Sequence, residues 1–564
     1  MFAMSHLLSD SKEFFDAIVV GSGATGGWAA KELTEAGLRV VLVEAGRNLD
    51  PRRDFTEHVM PYETKYRLHS PELLKTRPIQ VQCGACNDLN YDWFVNDFEN
   101  PYTTPSDKPF TWIRLRILGG RSLAWGRQSY RMSNLDFKAA SHDGYGEDWP
   151  ISYEELAPWY DKVEQFIGIS GSAEGVPQLP DSKFLPPMPM TCGELILRKT
   201  AKEKFGRTVT IGRVANLTSP LNGRAPCHFC GPCERGCTTF SYFNSPTTTL
   251  AAAQATGRLT LITDAIVSQV TTDLNSGLAK GVRYIHRTTR EERELKGRAV
   301  ILCAQSLESV RILLNSANQQ YSNGLANSSG ALGHYLMDHS CNVGADGVMP
   351  MLKAKPWAGP PIRPNGIYVI RFRNVTDRHP NFIRGYGFQG ASRPKFNFDG
   401  NGFGSQYKKA VREGEYKIGL RGFAECLPRW ENYCALDKNL VDAWGIPVLH
   451  IKAAYGENEL KLAEDMANTA GEMIEGAGAK NITLKPNFNT FGMGIHEVGV
   501  ARMGNDPKKS VLNKFCQSHD MKNLFVMDGG CFVSSGCQNP TLTMMALVCH
   551  SCAYLINQFK KGEV

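Results

Sequence analysis

Between residues 227 and 237 the chain reads CHFCGPCERGC, which places Cys227, Cys230, Cys233 and Cys237 within eleven residues. Two-residue loops wrap a backbone tightly enough for thiolates to hold a compact cube of iron and sulfide. C-x2-C-x2-C-x3-C is the spacing of a bacterial iron–sulfur ligand run, here with Thr238 where a proline usually follows. The fourth cysteine of such a run need not serve the same cluster, so three and four ligands both stay open. Zinc is the first alternative, although it more typically uses two C-x2-C knuckles separated by a longer span. Thiols or disulfides are the second, although adjacent bridges in so short a loop would be strained.

A second chemistry opens the chain. From Asp16 it runs DAIVVGSGATGGWAAKELTEAGLRVVLVEAG, a β-branched strand leading into Gly21, Gly23 and Gly26. A helix-period segment to Ala36, a stop at Gly37 and a second strand ending in Glu44 follow, which makes a βαβ unit. The first two glycines permit a tight turn and close approach to a pyrophosphate, and the third lets the helix pack on the strand. The helix N-terminus favours the negative charge. Glu44 stands about where such units grip a ribose hydroxyl. A dinucleotide is therefore expected rather than a merely structural glycine turn, and the spacing alone does not separate FAD from NAD.

The end of the chain separates them. GIHEVGVARMG (494 to 504), VMDGG (526 to 530) and an Asn-Pro-Thr at 539 to 541 resemble the C-terminal block of the glucose-methanol-choline (GMC) oxidoreductases, particularly their pyranose-oxidising branch. LGGRSLAWG (118 to 126), DWPISYEELAPWY (148 to 160), CAQSLESVRILLNSA (303 to 317) and GHYLMDH (333 to 339) carry the same resemblance over most of the chain. It implies an FAD enzyme in which His496 is the catalytic base and Asn539 its partner across the flavin. Asp528 would lie near the FAD phosphate and ribityl chain, and Gly119 and Gly120 would belong to the cofactor site. Where the pyranose-oxidising branch joins a histidine covalently to its flavin this sequence has Ala124, so FAD is expected to be held noncovalently. Imidazole, with an ordinary pKa near 6.5, suits removal of a hydroxyl proton as hydride leaves carbon, and a neutral amide can orient the same hydroxyl. Asp338, His339 and His519 are read as structural, and Cys549 and Cys552 as buried small hydrophobes.

The resemblance also extends to the cysteines, because some dehydrogenases of the family carry a comparable insertion with a 3Fe-4S or 4Fe-4S centre. Such a centre accepts one electron at a time and suits delivery to a cytochrome c or a quinone. The relatives with this design are FAD-dependent sugar and glucoside 3-dehydrogenases. They imply oxidation of a secondary hydroxyl of a sugar or glycoside, C3 preferred. An oxygen-using oxidase with a structural cysteine or zinc site is one alternative, and a flavin-dependent lyase or redox-inert binding protein is another. Several such enzymes travel with a small exported subunit, so a periplasmic location by co-export is expected, with the cytoplasm as the alternative.

These residues need a scaffold. A chain of 564 residues with 42% hydrophobic content can build two lobes on a large core. The fold class expected is α/β, a Rossmann-like FAD domain plus a substrate domain with an antiparallel sheet and covering helices. The FAD domain is assembled from 14–48, 111–135, 240–345 and 485–564, and the substrate domain from 136–226 and 346–484. Residues 49–110 form a cover or arm without assigned chemistry, and 227–237 is the cysteine insertion. Extended runs between 365 and 455 suit the antiparallel sheet, and 456–478 an amphipathic helix. The 63 basic and 56 acidic residues give +7 but are scattered, which excludes a nucleic-acid track. No apolar stretch approaches the roughly 20 residues of a bilayer span. The first apolar run, AIVVGSG, follows Glu13 and Asp16 rather than a basic segment and does not read as a signal peptide.

Overall fold

The computed structural model describes residues 14–353, 362–396 and 403–564. Residues 1–13, which include Glu13 of the leader reading, and parts of the expected substrate segment 346–484 lie outside that range. Strand Phe14–Val20 buries Ala17, Ile18 and Val19 completely, as a parallel strand covered on both faces must. It lies between Val40–Val43 and Glu292–Leu302, and Leu259–Ile262 extends the parallel run beyond Val40–Val43. The long strand Glu292–Leu302 serves two partners along its other edge. Its last residues pair in parallel with Leu524–Val526 and its first antiparallel with Leu278–His286, which in turn pairs antiparallel with Ala265–Asp273. Helix Ala24–Glu35 follows the first strand directly.

Helix Thr541–Lys561 packs against Ala24–Glu35 and Tyr153–Ile167. Its length and apolar composition would suffice to cross a bilayer, and it is the one such helix among the described residues. With 67% of its apolar window buried inside the fold, including Cys549 and Cys552, it is placed as a core helix.

The second sheet has six antiparallel strands in the order Lys480–Lys485, Gly344–Lys353, Glu415–Ala424, Tyr386–Lys395, Ile367–Val369, Val209–Ile211. Alternation gives it two unlike faces. Ile418, Leu420, Phe388 and Tyr386 point into a core with Leu462, Met466, Met473 and Ile474 of helix Glu457–Gly476, while Arg421, Phe423 and Gln389 stay half-buried on the other face. The sheet reaches more widely along the chain than the extended runs of 365–455 suggest. Two of those runs, Tyr433–Val441 and Pro447–Lys452, leave it and pair with each other. Pro428 falls in the connection after Ala424, and Gly445, at φ +77°, turns the separate hairpin.

Candidate active site

The first strand ends in a turn only glycine can make. Gly21 sits at φ +96°, and a Cβ there would meet the Cys303 carbonyl at 2.4 Å. A Cβ on Gly26 would lie 1.8 Å from the Gly21 carbonyl, which is the close helix–strand contact expected of the third glycine. Gly23 caps helix Ala24–Glu35 and is open, with no protein atom within 4 Å of its would-be Cβ. That is the cradle a pyrophosphate needs. Ser22 ties three segments together: its hydroxyl donates to Glu44 Oε2 (2.5 Å) and accepts from the Gly119 N–H (2.8 Å). Glu44 also accepts from the Gly46 N–H at 2.7 Å. Burial raises its pKa, the hydrogen bonds from Ser22 and Gly46 and the field of Arg116 offsetting part of the rise, and a carboxylate so placed has lone pairs to offer ribose hydroxyls. Gly120 faces the Gly23 Cα, and both amide atoms of Gln305, beside Cys303, are buried without a partner. These residues fit a dinucleotide.

Asp528 stands at the end of strand Leu524–Val526, but its carboxylate is engaged by the protein. It accepts from Ser309 Oγ at 2.5 Å and from the Gly530 N–H at 2.9 Å, capping the short turn Gly529–Cys531. Burial pushes it up to about 6. Ala124 closes the turn Gly120–Leu123.

His496 and Asn539 are brought together, with Asn539 Nδ2 3.4 Å from His496 Nε2. Gln389 of the second sheet donates from Nε2 to Asn539 Oδ1 at 2.6 Å, which turns the amide N–H toward the imidazole. Behind His496 the structure differs from the sequence reading of His339. His339 Nδ1 is 2.9 Å from His496 Nδ1, and His339 Nε2 is 2.9 Å from the Gly536 carbonyl. A carbonyl only accepts, so His339 carries its proton on Nε2 and presents a lone pair at Nδ1. His496 must then carry its proton on Nδ1, leaving Nε2 free as a base toward Asn539. Burial keeps both rings neutral, lowering His339 to about 4 and His496 well below its ordinary value. Asp338 acts on the backbone: it accepts from the N–H groups of Gly494 (2.8 Å) and His496 (2.9 Å). Between them Ile495 is held at φ +57°, a conformation costing a β-branched residue on the order of 1–3 kcal/mol. No spacing in the sequence links 338–339 to 496; the pairing of Met337 with Val498 does. His519 lies against Ser510 Oγ at 3.0 Å, as its structural reading requires.

The four cysteines form one neighbourhood of free thiols. Cys233 and Cys237 are buried, and Cys227 and Cys230 half-buried. Burial and the neighbouring thiols push Cys230 up to about 12 and Cys233 to about 11, Arg127 offsetting part of the rise at Cys233. Among the described residues no group of three or more His, Cys, Asp or Glu side chains is placed to hold a metal ion, so the arrangement of Cys227, Cys230, Cys233 and Cys237 lends the expected cluster no support. The segment 49–110, to which the sequence assigns no chemistry, braces this loop. Arg235, 1% exposed, donates to the carbonyls of Thr56 (3.0 Å) and Val59 (2.7 Å), and Glu57 accepts from the Thr238 N–H at 2.5 Å. From Cys237 the chain runs straight to the nucleotide cradle, where Ser245 Oγ donates to the Ser22 carbonyl at 2.7 Å.

The GMC oxidoreductase profile matches residues 15–341, and its C-terminal counterpart 428–547. The chain belongs to the GMC oxidoreductases. It is 30% identical to 2-methyl-1,2-propanediol dehydrogenase of Mycolicibacterium austroafricanum, over 98% of this chain and 97% of that protein. It is 26% identical to the fructose dehydrogenase large subunit of Gluconobacter japonicus, over 97% and 98% of the two chains. The gluconate 2-dehydrogenase flavoprotein of Pantoea cypripedii is 27% identical, over 97% and 94%. In fold, the chain superposes on pyridoxine 4-oxidase from Mesorbium loti with a TM-score of 0.60 at 16% identity, covering 96% of this chain and 99% of that one. This GMC oxidoreductase is accordingly an FAD-dependent enzyme acting on CH–OH groups. FAD supplies the hydride acceptor when bound, and beside His496 Nε2 and the Asn539 amide a hydroxyl would meet one group able to take a proton and one able to hold an oxygen.

Proposed function

We propose that this enzyme is a dehydrogenase that oxidises a secondary hydroxyl of a sugar or glycoside, C3 the preferred carbon, with FAD held noncovalently. The observation that carries the reading is the directed pair at the site: an imidazole lone pair at His496 Nε2 beside the Asn539 amide, whose orientation is set by Gln389. A hydroxyl placed between them loses its proton to the imidazole while the amide holds its oxygen. The reducing equivalents leave one at a time through an iron–sulfur cluster on Cys227, Cys230, Cys233 and Cys237 to a cytochrome or quinone. A small partner subunit and a periplasmic location accompany that reading. Kinship with proteins named fructose dehydrogenase and gluconate 2-dehydrogenase supports a sugar-derived substrate.

The 30% kinship with a protein named 2-methyl-1,2-propanediol dehydrogenase favours a second reading, oxidation of a small branched diol. One screen separates the two. Anaerobically purified enzyme, showing flavin bands with a broad brown shoulder, is mixed with glucose, cellobiose, methyl glucosides, D-fructose and 2-methyl-1,2-propanediol and a dye acceptor. NMR then locates the new carbonyl. Reduction by glycosides with a carbonyl at C3 is expected, and activity confined to the diol would replace the sugar reading.

A further inference from the structure

His496 stands on a short segment, 494–497, that the fold holds from two sides. From one side Asp338 accepts from the N–H groups of Gly494 and His496, and the Ile495 N–H between them donates to the Gly492 carbonyl at 3.0 Å. From the other side Arg121 Nη1 donates to the Ile495 carbonyl at 3.1 Å and to Glu497 Oε2 at 2.7 Å. One nitrogen thus grips the residues before and after the base, and Ile495 keeps its left-handed φ of +57° between the two holds. The Glu497 side chain is 0% exposed, and Arg121, 28% exposed, is the one cation bonded to it among the described residues. That pairing is hard to give up, because a buried carboxylate that loses its only cation is left uncompensated.

Arg121 itself belongs to the cofactor side. It sits in the turn Gly120–Leu123, and the Gly119 N–H that precedes the turn donates at 2.8 Å to Ser22 Oγ, the same hydroxyl that donates to Glu44. A Cβ on Gly120 would lie 3.8 Å from the Cα of Gly23, the open glycine of the cradle. Ser122 Oγ donates to the Gly119 carbonyl at 2.6 Å and accepts from the Ser245 N–H at 3.1 Å, which fixes the turn against the rest of the cradle. A path of contacts therefore runs from Glu44 through Ser22, Gly119 and Arg121 to the backbone on both sides of His496.

We propose that Arg121 is a positioning residue that registers His496 against the FAD cradle. The inference rests on the reading of His496 as the base and adds the residue that sets its place relative to the cofactor. An O–H proton and a hydride leave one alcohol in opposite senses, the proton to imidazole and the hydride to FAD, so base and cofactor must keep one geometry. A misplacement of about 1 Å can cost about 10²-fold in rate. Arg121 acts through Ile495 and Glu497, so its loss displaces the imidazole without removing it.

The expected signature is a loss of rate without a loss of binding. In anaerobic stopped flow, with whichever alcohol of the screen above bleaches the flavin, Arg121→Ala should lower the limiting rate of bleaching about 10²-fold. FAD content and the half-saturating alcohol concentration should stay within about threefold of the parent. Ethylguanidinium added to this variant should recover at least about tenfold of the rate, since a free guanidinium fits the half-exposed space between Ile495 and Glu497. If the lone Glu497 charge keeps Arg121→Ala from folding, Arg121→Met combined with Glu497→Gln leaves no buried charge unpaired and decides the matter. Folded and FAD-loaded, the double variant should be slow in the same way. A double variant within about threefold of the parent would overturn the proposal. So would an Ala variant whose rate and FAD content fall together and do not answer to ethylguanidinium, which is the behaviour of an ion pair that only stabilises the fold. His496→Ala in the same series keeps the two readings apart. At the parent's rate it removes the base itself, whereas a slow His496→Ala beside a fast double variant removes only the role of Arg121.

Discussion

Because the Gly536 carbonyl can only accept, the tautomer of His496 is set through His339, the ring that stands between them. His496→Ala should slow reduction of the flavin by substrate about 10²- to 10⁴-fold, the usual span for a general base, while FAD stays bound. The pH dependence follows from the lowered basicity. The base works only unprotonated, and its folded pKa lies below the ordinary 6.5, so the rate should hold as pH falls through 6.5 and be lost only below it. The fields of His339 and Arg121 both add to the lowering caused by burial. His339→Ala removes the tautomer lock, so its rate should be lower than the parent's. An acid limb already at 6.5 in the parent, or a variant as fast as the parent, would contradict this. His496 and Asn539 could be singled out because each sits in a local block of recognisable residues, and the fold brings the two side chains together. His339 could not, since an imidazole becomes a positioning group only when the fold sets it against another.

At the scale of elements, the βαβ unit was legible from end to end because every constraint in it is local: a strand, a turn, a helix and a second strand within about thirty residues. Its two informative glycines predict different failures. Ala at position 26 forces a methyl against the Gly21 carbonyl, an overpacking of about 1–3 kcal/mol that should lower both the melting temperature of the apoprotein and the affinity for FAD. Ala at position 23 meets no protein atom, so the apoprotein should melt with the parent and the loss should appear only in FAD affinity, measured by fluorescence quenching. Equal melting losses in the two variants would mean the open side of Gly23 is not the cofactor cradle. The second sheet was only partly legible. Its strands span residues 209 to 485 and are ordered by long-range register, and alternation in one segment cannot say which distant segment pairs with it.

Across the whole molecule the cysteine loop and the nucleotide cradle share one short connection: Tyr242 donates to the Leu123 carbonyl at 2.6 Å and Trp125 Nε1 to the Phe243 carbonyl at 2.9 Å, on the stretch between Cys237 and the cradle. The arm 49–110 holds the far side of the cysteine loop, a role its irregular, proline-rich sequence could not announce because it is made of backbone carbonyls meeting one buried arginine. If the loop carries the exit for electrons, oxidation of the alcohol and delivery of its electrons are separable. Cys233→Ser should leave bleaching of the flavin by substrate within about threefold of the parent, since His496, Asn539 and Gln389 are untouched, while turnover with cytochrome c collapses. A small dye that reaches the flavin directly should still turn over. A cysteine that only packs predicts something else. Cys233 is buried, so losing a structural site there would lower folding yield and FAD occupancy, and both half-reactions would fall together. Iron analysis of the parent is the control. A folded, FAD-loaded variant that reduces cytochrome c as fast as the parent would show that the electrons leave by another way.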